Sequence, residues 1–268
     1  QELPPDFALQ DPADYLRTLE VTIPQVIREA GVSADDIIGI GIDFTSCTIL
    51  PAFSDGTPLC MDERYRDEPH AWVKLWKHHA AQPEANRLNE IAARRGETFL
   101  KRYGGRISSE WFFPKVWQIL DEAPHVYAAA DRLLEAADWI VWQLTGVERR
   151  NACTAGYKAI WDKQAGFVSD SFLAALDPRL ADVIDTKMSR DLFPPGTRAG
   201  SVSPKMAERL GLSPGTAVAI ANVDAHVAVP ACTVVEPHRM VMVMGTSICH
   251  MVLAEKMHFV EGMCGVVE

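Results

Sequence analysis

The sequence predicts an α/β fold in which a mixed sheet carries helices on both faces. Three observations support this. Twice a helical segment feeds a short apolar strand that ends on aspartate, first IIGIGID at Asp43 and later TAVAIANVD at Asp224. Strands so continuously apolar mark a sheet covered on both sides, where a half-exposed strand would alternate. The third observation is the block RMVMVM, GTS, ICHMVL, which reads as two strands about a tight turn.

The first helix is predicted over DPADYLRTLEVTIPQVIREAG. Asp11 is placed to cap it, Pro12 takes the first helical position, and Tyr15, Leu16, Leu19, Ile23, Val26 and Ile27 share one face before Gly31. Pro24 removes a backbone donor and should kink it. After the strand ending at Asp43, PAFSDGTPL carries a hairpin turn at Ser54, Asp55 and Gly56. Residues 83–144 read as mostly helical, in PEANRLNEIAARRG, SEWFFPKVWQILDEA and DRLLEAADWIVWQLTG, the first and last closed by glycine. A looser stretch from Gly146 to Thr197 precedes the helix SPKMAERLG and the second aspartate-ended strand.

Twenty-six basic residues against 36 acidic ones give a net charge of -10, which offers no attraction to a nucleic-acid backbone or an anionic membrane surface. Apolar runs fall short of the roughly 20 residues that span a bilayer, and no basic segment precedes an apolar one at the start. Six cysteines occur without a C-x-x-C pair. A soluble cytoplasmic protein, with neither nucleic acid nor membrane as partner, is the expectation. The chain begins without Met and stops soon after the hairpin, so it is expected to be part of a longer protein.

Ligands of open α/β sheets gather beyond the carboxyl ends of the strands, so Asp43, Asp224 and their neighbours are placed to share a cleft. A carboxylate such as Asp224 can take a proton from a hydroxyl, hold a magnesium-bound water, or cap the following helix, and capping is the commoner fate. His226 beside it is more often structural. Gly245, Thr246 and Ser247 form either an ordinary turn or a nest of amides and hydroxyls for phosphate. Lys158, in TAGYKAIWD, can donate to a polyol or run out to water. His78 and His79 read as a solvated helix end, since adjacent side chains diverge and no third metal ligand follows. Most of the seven tryptophans are expected in the core. In DFTSC the absence of glycine argues against a phosphate loop, because a backbone with Cβ atoms cannot approach phosphate closely. The stretch also resembles the D-T/S-G of aspartic proteases, although Phe44 intervenes, the glycine is again absent and no second copy follows; a substrate-facing strand end is the third reading.

Taken together, GIGIDFTSCTILP, PHAWVKLWKHHAA, YGGRISSEWFFPKVWQILDEAP, LLEAADWIVWQLTG, CTAGYKAIWD, LDPRL, AERLGLSPGTAVAIANVDAHVAVPA, MVMVMGTSICHM and EGMCGVVE resemble the FGGY family of carbohydrate kinases nearly end to end. The resemblance implies actin-like, ribonuclease-H-like domains with ATP and sugar between them, and transfer of the γ-phosphoryl of MgATP to a sugar or polyol hydroxyl. It implies Asp224 as general base, reaching Mg2+ at most through a water. Ser46 and Lys158 become sugar contacts with Asp43 and Thr45 near them, and Gly245, Thr246 and Ser247 face the ATP phosphates. DFTSC, TAGYKAIWD, NVDAHVAVPA and GTSICHM favour the branch acting on L-ribulose; kinases for xylulose or ribitol, and a non-catalytic sugar-binding relative, are the alternatives. Residues 1–236 correspond to most of the first domain and 237–268 to the opening hairpin of the second. The family's first phosphate loop and adenosine segment have no counterpart here, so this stretch alone is expected to lack kinase activity. A homodimer is an assembly the resemblance leaves open.

Overall fold

The computed structural model describes residues 3–245, 248–263 and 265. The first helix runs Pro12–Ala30, with the Asp11 side chain accepting from the Ala13 amide and Gly31 closing it at φ 66°. Pro24 lies inside it without ending it. The helices Gln82–Arg95 and Pro204–Leu210 also finish on glycines in the left-handed region, Gly96 and Gly211.

A four-stranded antiparallel sheet, ordered Leu9–Gln10, Val73–Lys74, Ile49–Ala52, Arg132–Glu135, forms the centre. Leu50 pairs with Leu134 and Pro51 with Leu133. Successive side chains of a strand point to opposite faces, so Ile49 and Leu133 enter one core while Leu50, Ala52 and Leu134 enter another. The first core holds Phe112, Phe113, Val116 and Ile119 of the helix Phe112–Glu122, with Leu88 and Phe172. The second holds Trp139 and Ile140 of the helix Ala136–Thr145, with Met206 and Leu210. A sheet covered on both faces is therefore present.

The strand expected to be covered on both faces is a different one. IIGIGID is broken into Gly39–Ile40 and Asp43–Phe44, and Ile38 is 88 % exposed. Gly39–Ile40 lies at the edge of a three-stranded sheet behind Ala217–Ala219 and Arg198–Ser201, so among the described residues nothing covers its outer side. A second correction concerns DRLLEAADWIVWQLTG, which is not one helix. Arg132–Glu135 is a strand and the helix starts at Ala136. Leucine and glutamate favour helix, but ladder pairing with Ile49–Ala52 and burial of Leu133 and Leu134 override that local preference.

The predicted turn at Gly56 is present, with the Phe53 amide donating to the Thr57 carbonyl at 2.9 Å. Gly56 has φ 84°, and a Cβ there would lie 3.2 Å from the Trp142 ring, so the position requires glycine on two grounds. The terminal hairpin pairs Met240–Met244 with Ile248–Val252. Among the tryptophans Trp111, Trp117 and Trp139 are buried, while Trp72, Trp76, Trp142 and Trp161 are partly exposed.

Leu134→Ala should lower stability by about 2–5 kcal/mol in urea titration, because it empties part of a packed core. Ile38→Thr should change it by less than about 0.5 kcal/mol. Equal losses at the two positions would contradict the assignment of the doubly covered strand.

Candidate active site

Asp43–Phe44 runs parallel to Asn222–Val223, with Asp43 opposite Asn222 and Phe44 opposite Val223. Asp224 and Thr45 therefore leave neighbouring strands side by side. Phe44 packs against Tyr15 at a ring distance of 5.1 Å, and strand alternation turns Asp43 and Thr45 to the other face. Asp43 is exposed and Thr45 half-buried.

Asp224 is the first residue of the helix Asp224–Ala231 and is exposed. The capping position belongs to Val223, which has no side-chain oxygen, and Asp224 Oδ1 accepts only from the next amide, Ala225, at 2.7 Å among the described residues. The capping role is thus largely unfilled, and the carboxylate keeps lone pairs for another donor.

The segment after Thr45 is held rigidly from within. Cys47 has φ 63°, which for a residue with a Cβ costs roughly 1–2 kcal/mol. Its amide donates to Glu135 Oε2 at 2.8 Å, and its carbonyl accepts from the Lys115 ammonium at 2.6 Å. Lys115 also donates to the Leu75 carbonyl at 2.8 Å, and the Ala136 amide donates to the Thr48 carbonyl at 2.7 Å. The Thr45 and Thr48 hydroxyls share a hydrogen bond of 2.6 Å. Burial pushes Glu135 up to about 8 and Lys115 down to about 8, since each charge has lost its water. Burial likewise raises the Cys47 thiol to about 12, so it is inert. Ser46 is only 5 % exposed, and its hydroxyl has no hydrogen-bond partner among the described residues. A buried hydroxyl without a strong partner is costly, and the neighbouring Cys47 thiol is a weak one.

Lys158 ends the helix Ala152–Lys158. The start of that helix is fixed by Asn151, whose side chain accepts from the Thr154 amide at 2.7 Å while its own amide and side-chain nitrogen donate to Asp138 Oδ1 at 2.9 and 2.8 Å. The Lys158 ammonium lies 4.9 Å from the centre of the Tyr157 ring, and its charge acts on Cys47, Glu135 and His226 alike. The helix that Lys158 ends packs against the strand Asn222–Val223, which leads into Asp224. The terminal hairpin packs on the helix Asp224–Ala231, and Gly245, which follows its first strand, is exposed; Thr246 and Ser247 lie outside the described residues.

His78 is not at a solvated helix end. It is fully buried, accepts from the Ala8 amide at 3.3 Å and bonds Gln118 at 2.8 Å, while His79 is exposed beside Glu110. Burial of the preceding Lys74 and packing of Phe7 on His78 draw it inward. Sequence reasoning passed over Lys115 and Glu135 because each sits in an ordinary-looking helical stretch. The signal was a charge at an apolar position, Lys115 in WFFPKVW and Glu135 after RLL.

Asp43–Phe44 and Asn222–Val223 form a two-stranded parallel sheet of their own, and the fold that carries it is that of the actin-like, ribonuclease-H-like sugar kinase domains. A xylulose kinase structure from Rhodospirillum rubrum superposes with a TM-score of 0.70 at 19% identity, over 90% of this chain and 46% of that one. Residues 2–230 match the N-terminal domain of the FGGY family of carbohydrate kinases, and the chain belongs to that family. It is 60% identical over 263 residues to a ribulokinase from Halalkalibacterium halodurans, covering 98% of this chain and 47% of that protein. It is 58% identical over 267 residues to a ribulokinase from Geobacillus thermodenitrificans, covering 100% of this chain and 47% of that protein. The chain spans about half the length of the curated relatives it matches.

Glu135→Gln tests the buried carboxyl. The folded pKa of Glu135 lies above its ordinary 4.5, so its stabilising contribution is full below that pH and is lost as pH rises through about 8. Between those limits the wild type should lose stability relative to Glu135→Gln, by at most about 1.4 kcal/mol per pH unit. Parallel stability curves for the two proteins would contradict the assignment.

Proposed function

We propose that the protein carrying this chain is a ribulokinase, which transfers the γ-phosphoryl of MgATP to L-ribulose and yields L-ribulose 5-phosphate. The observation that carries this reading is that exposed Asp224 and the buried Ser46 follow two paired strands, with the helix of Lys158 packed on one of them, in a chain whose relatives named ribulokinase reach 60% identity.

In this reading Asp224 accepts the proton of the attacking hydroxyl as the oxygen bonds to phosphorus. Its position past the strand end leaves it free of competing side-chain donors. Lys158 and Ser46 hold sugar oxygens, with Thr45 oriented by Thr48 and Asp43 shaping the rim. Positioning supplies most of the rate in such a transfer, because the phosphoryl group needs little covalent help. Gly245, Thr246 and Ser247 are assigned to the ATP phosphates, on a hairpin that opens a second domain at residue 237; residues 1–236 form the sugar side. Among the described residues no group of three or more His, Cys, Asp or Glu could hold a metal ion. Mg2+ brought by the nucleotide would offset phosphate charge, and Asp224 would reach it through a water. No helix among the described residues is long and apolar enough to cross a membrane, and use of ATP suits a cytoplasmic setting.

Coupled ADP release by the full-length protein should be greater with L-ribulose than with xylulose or ribitol. Asp224→Asn should lower kcat by roughly 10²- to 10⁴-fold with little change in KM for the sugar. Preference for another sugar, or an active Asp224→Asn protein, would overturn the reading.

A further inference from the structure

His226 follows Asp224 by two residues and was read from sequence as structural. Its surroundings give it more. Nδ1 lies 2.8 Å from the Cys153 sulfur, and the ring packs on Tyr157 with centroids 4.6 Å apart. Both partners belong to the helix Ala152–Lys158, the helix that ends on the sugar-side lysine. The Cys153 thiol also faces the backbone amide of Val223, the residue before Asp224. One imidazole and one thiol therefore tie the turn bearing Asp224 to the helix bearing Lys158.

The protonation states follow from burial. The Cys153 thiol is pushed up to about 11 and so keeps its proton. His226 is pushed down to about 4 by burial first and by the nearby Lys158 charge second, so it is neutral. A thiol proton given to Nδ1 leaves the ring hydrogen on Nε2. Nε2 is buried and has no hydrogen-bond partner among the described residues. Burying an imidazole N–H without a partner is unfavourable, and Lys158 stands close enough to depress the ring's pKa.

We propose that His226 is a specificity-determining residue that offers Nε2–H to a hydroxyl of the bound sugar, on the same side as Lys158, with Cys153 fixing its tautomer and Tyr157 its plane. The proposal rests on the sugar-kinase reading above. A neutral donor suits a hydroxyl, which has lone pairs to accept with and no charge to compensate. It also explains a histidine held in place by a thiol, since sulfur is too weak a partner to justify burying the ring for stability alone.

The test is calorimetric binding and steady-state kinetics on the full-length protein, with L-ribulose, xylulose and ribitol as probes. His226→Phe keeps the packing on Tyr157 and removes both ring nitrogens. It should weaken binding and raise KM for the preferred sugar by roughly tenfold, with KM for ATP and the melting temperature nearly unchanged. His226→Gln, which restores an N–H donor, should recover part of the loss. Unchanged sugar affinity in His226→Phe overturns the proposal, as does an equal loss of sugar and ATP affinity, which marks a structural role. The effect is read on whichever sugar the wild type binds most tightly. A preference for xylulose or ribitol therefore refutes the L-ribulose assignment without touching the result for His226.

Discussion

The site depends on one buried ammonium. Lys115 donates to the carbonyls of Cys47 and Leu75, which lie on two different stretches of backbone, and Glu135 takes the Cys47 amide from the opposite side. A backbone segment with Cys47 in the left-handed region would relax without such ties. Burial makes them strong, because a carbonyl with no water nearby has no alternative partner. It also makes them exacting, because both groups pay a desolvation cost that only satisfied hydrogen bonds offset. The result is a stiff loop whose Ser46 hydroxyl is held in a fixed place.

The same economy extends behind the loop. Glu135 ends the edge strand of the central sheet and Asp138 lies in the first turn of the next helix, so one short stretch of chain anchors two separate parts of the site. Glu135 fixes the Cys47 loop, and Asp138 fixes Asn151, which starts the helix of Lys158. Arg150 lies beside Asp138 and counters the upward pull of burial, leaving Asp138 at about 6. A change in the break between strand and helix at Glu135 would therefore displace Ser46 and Lys158 together.

Periodicity revealed the fold class, the caps of the first helix and the terminal hairpin, because each depends on local rules that operate within a few residues. The two strand ends at Asp43 and Asp224 were legible for the same reason, whereas their pairing side by side is a fact of the structure. What sequence could not disclose was set by long-range partners. Arg132–Glu135 is a strand only because Ile49–Ala52 lies beside it, 80 or so residues earlier, and no local property of RLLE announces that. His78 was misplaced because its partners, Ala8 and Gln118, are far away in sequence. Ser46 and His226 were both visible as residues, yet the fact that matters, a buried polar atom with nothing to bond, exists only in three dimensions.

The site is stiff on one side and open on the other. The Ser46 loop is fastened to the interior by the buried Lys115 and Glu135 side chains, whereas among the described residues the exposed Asp224 carboxylate is held only by the amide of its own neighbour. In the proposed reading a carboxylate that meets a hydroxyl and takes its proton gains from that freedom. Orientation then has to come from the backbone beneath. Pairing of Val223 with Phe44 sets the strand end, and the hairpin bearing Gly245 packs on the very helix that Asp224 begins. In the proposed reading the base follows one of two paired strands and the sugar-side loop the other, so their alignment depends on the short ladder between Asp43–Phe44 and Asn222–Val223.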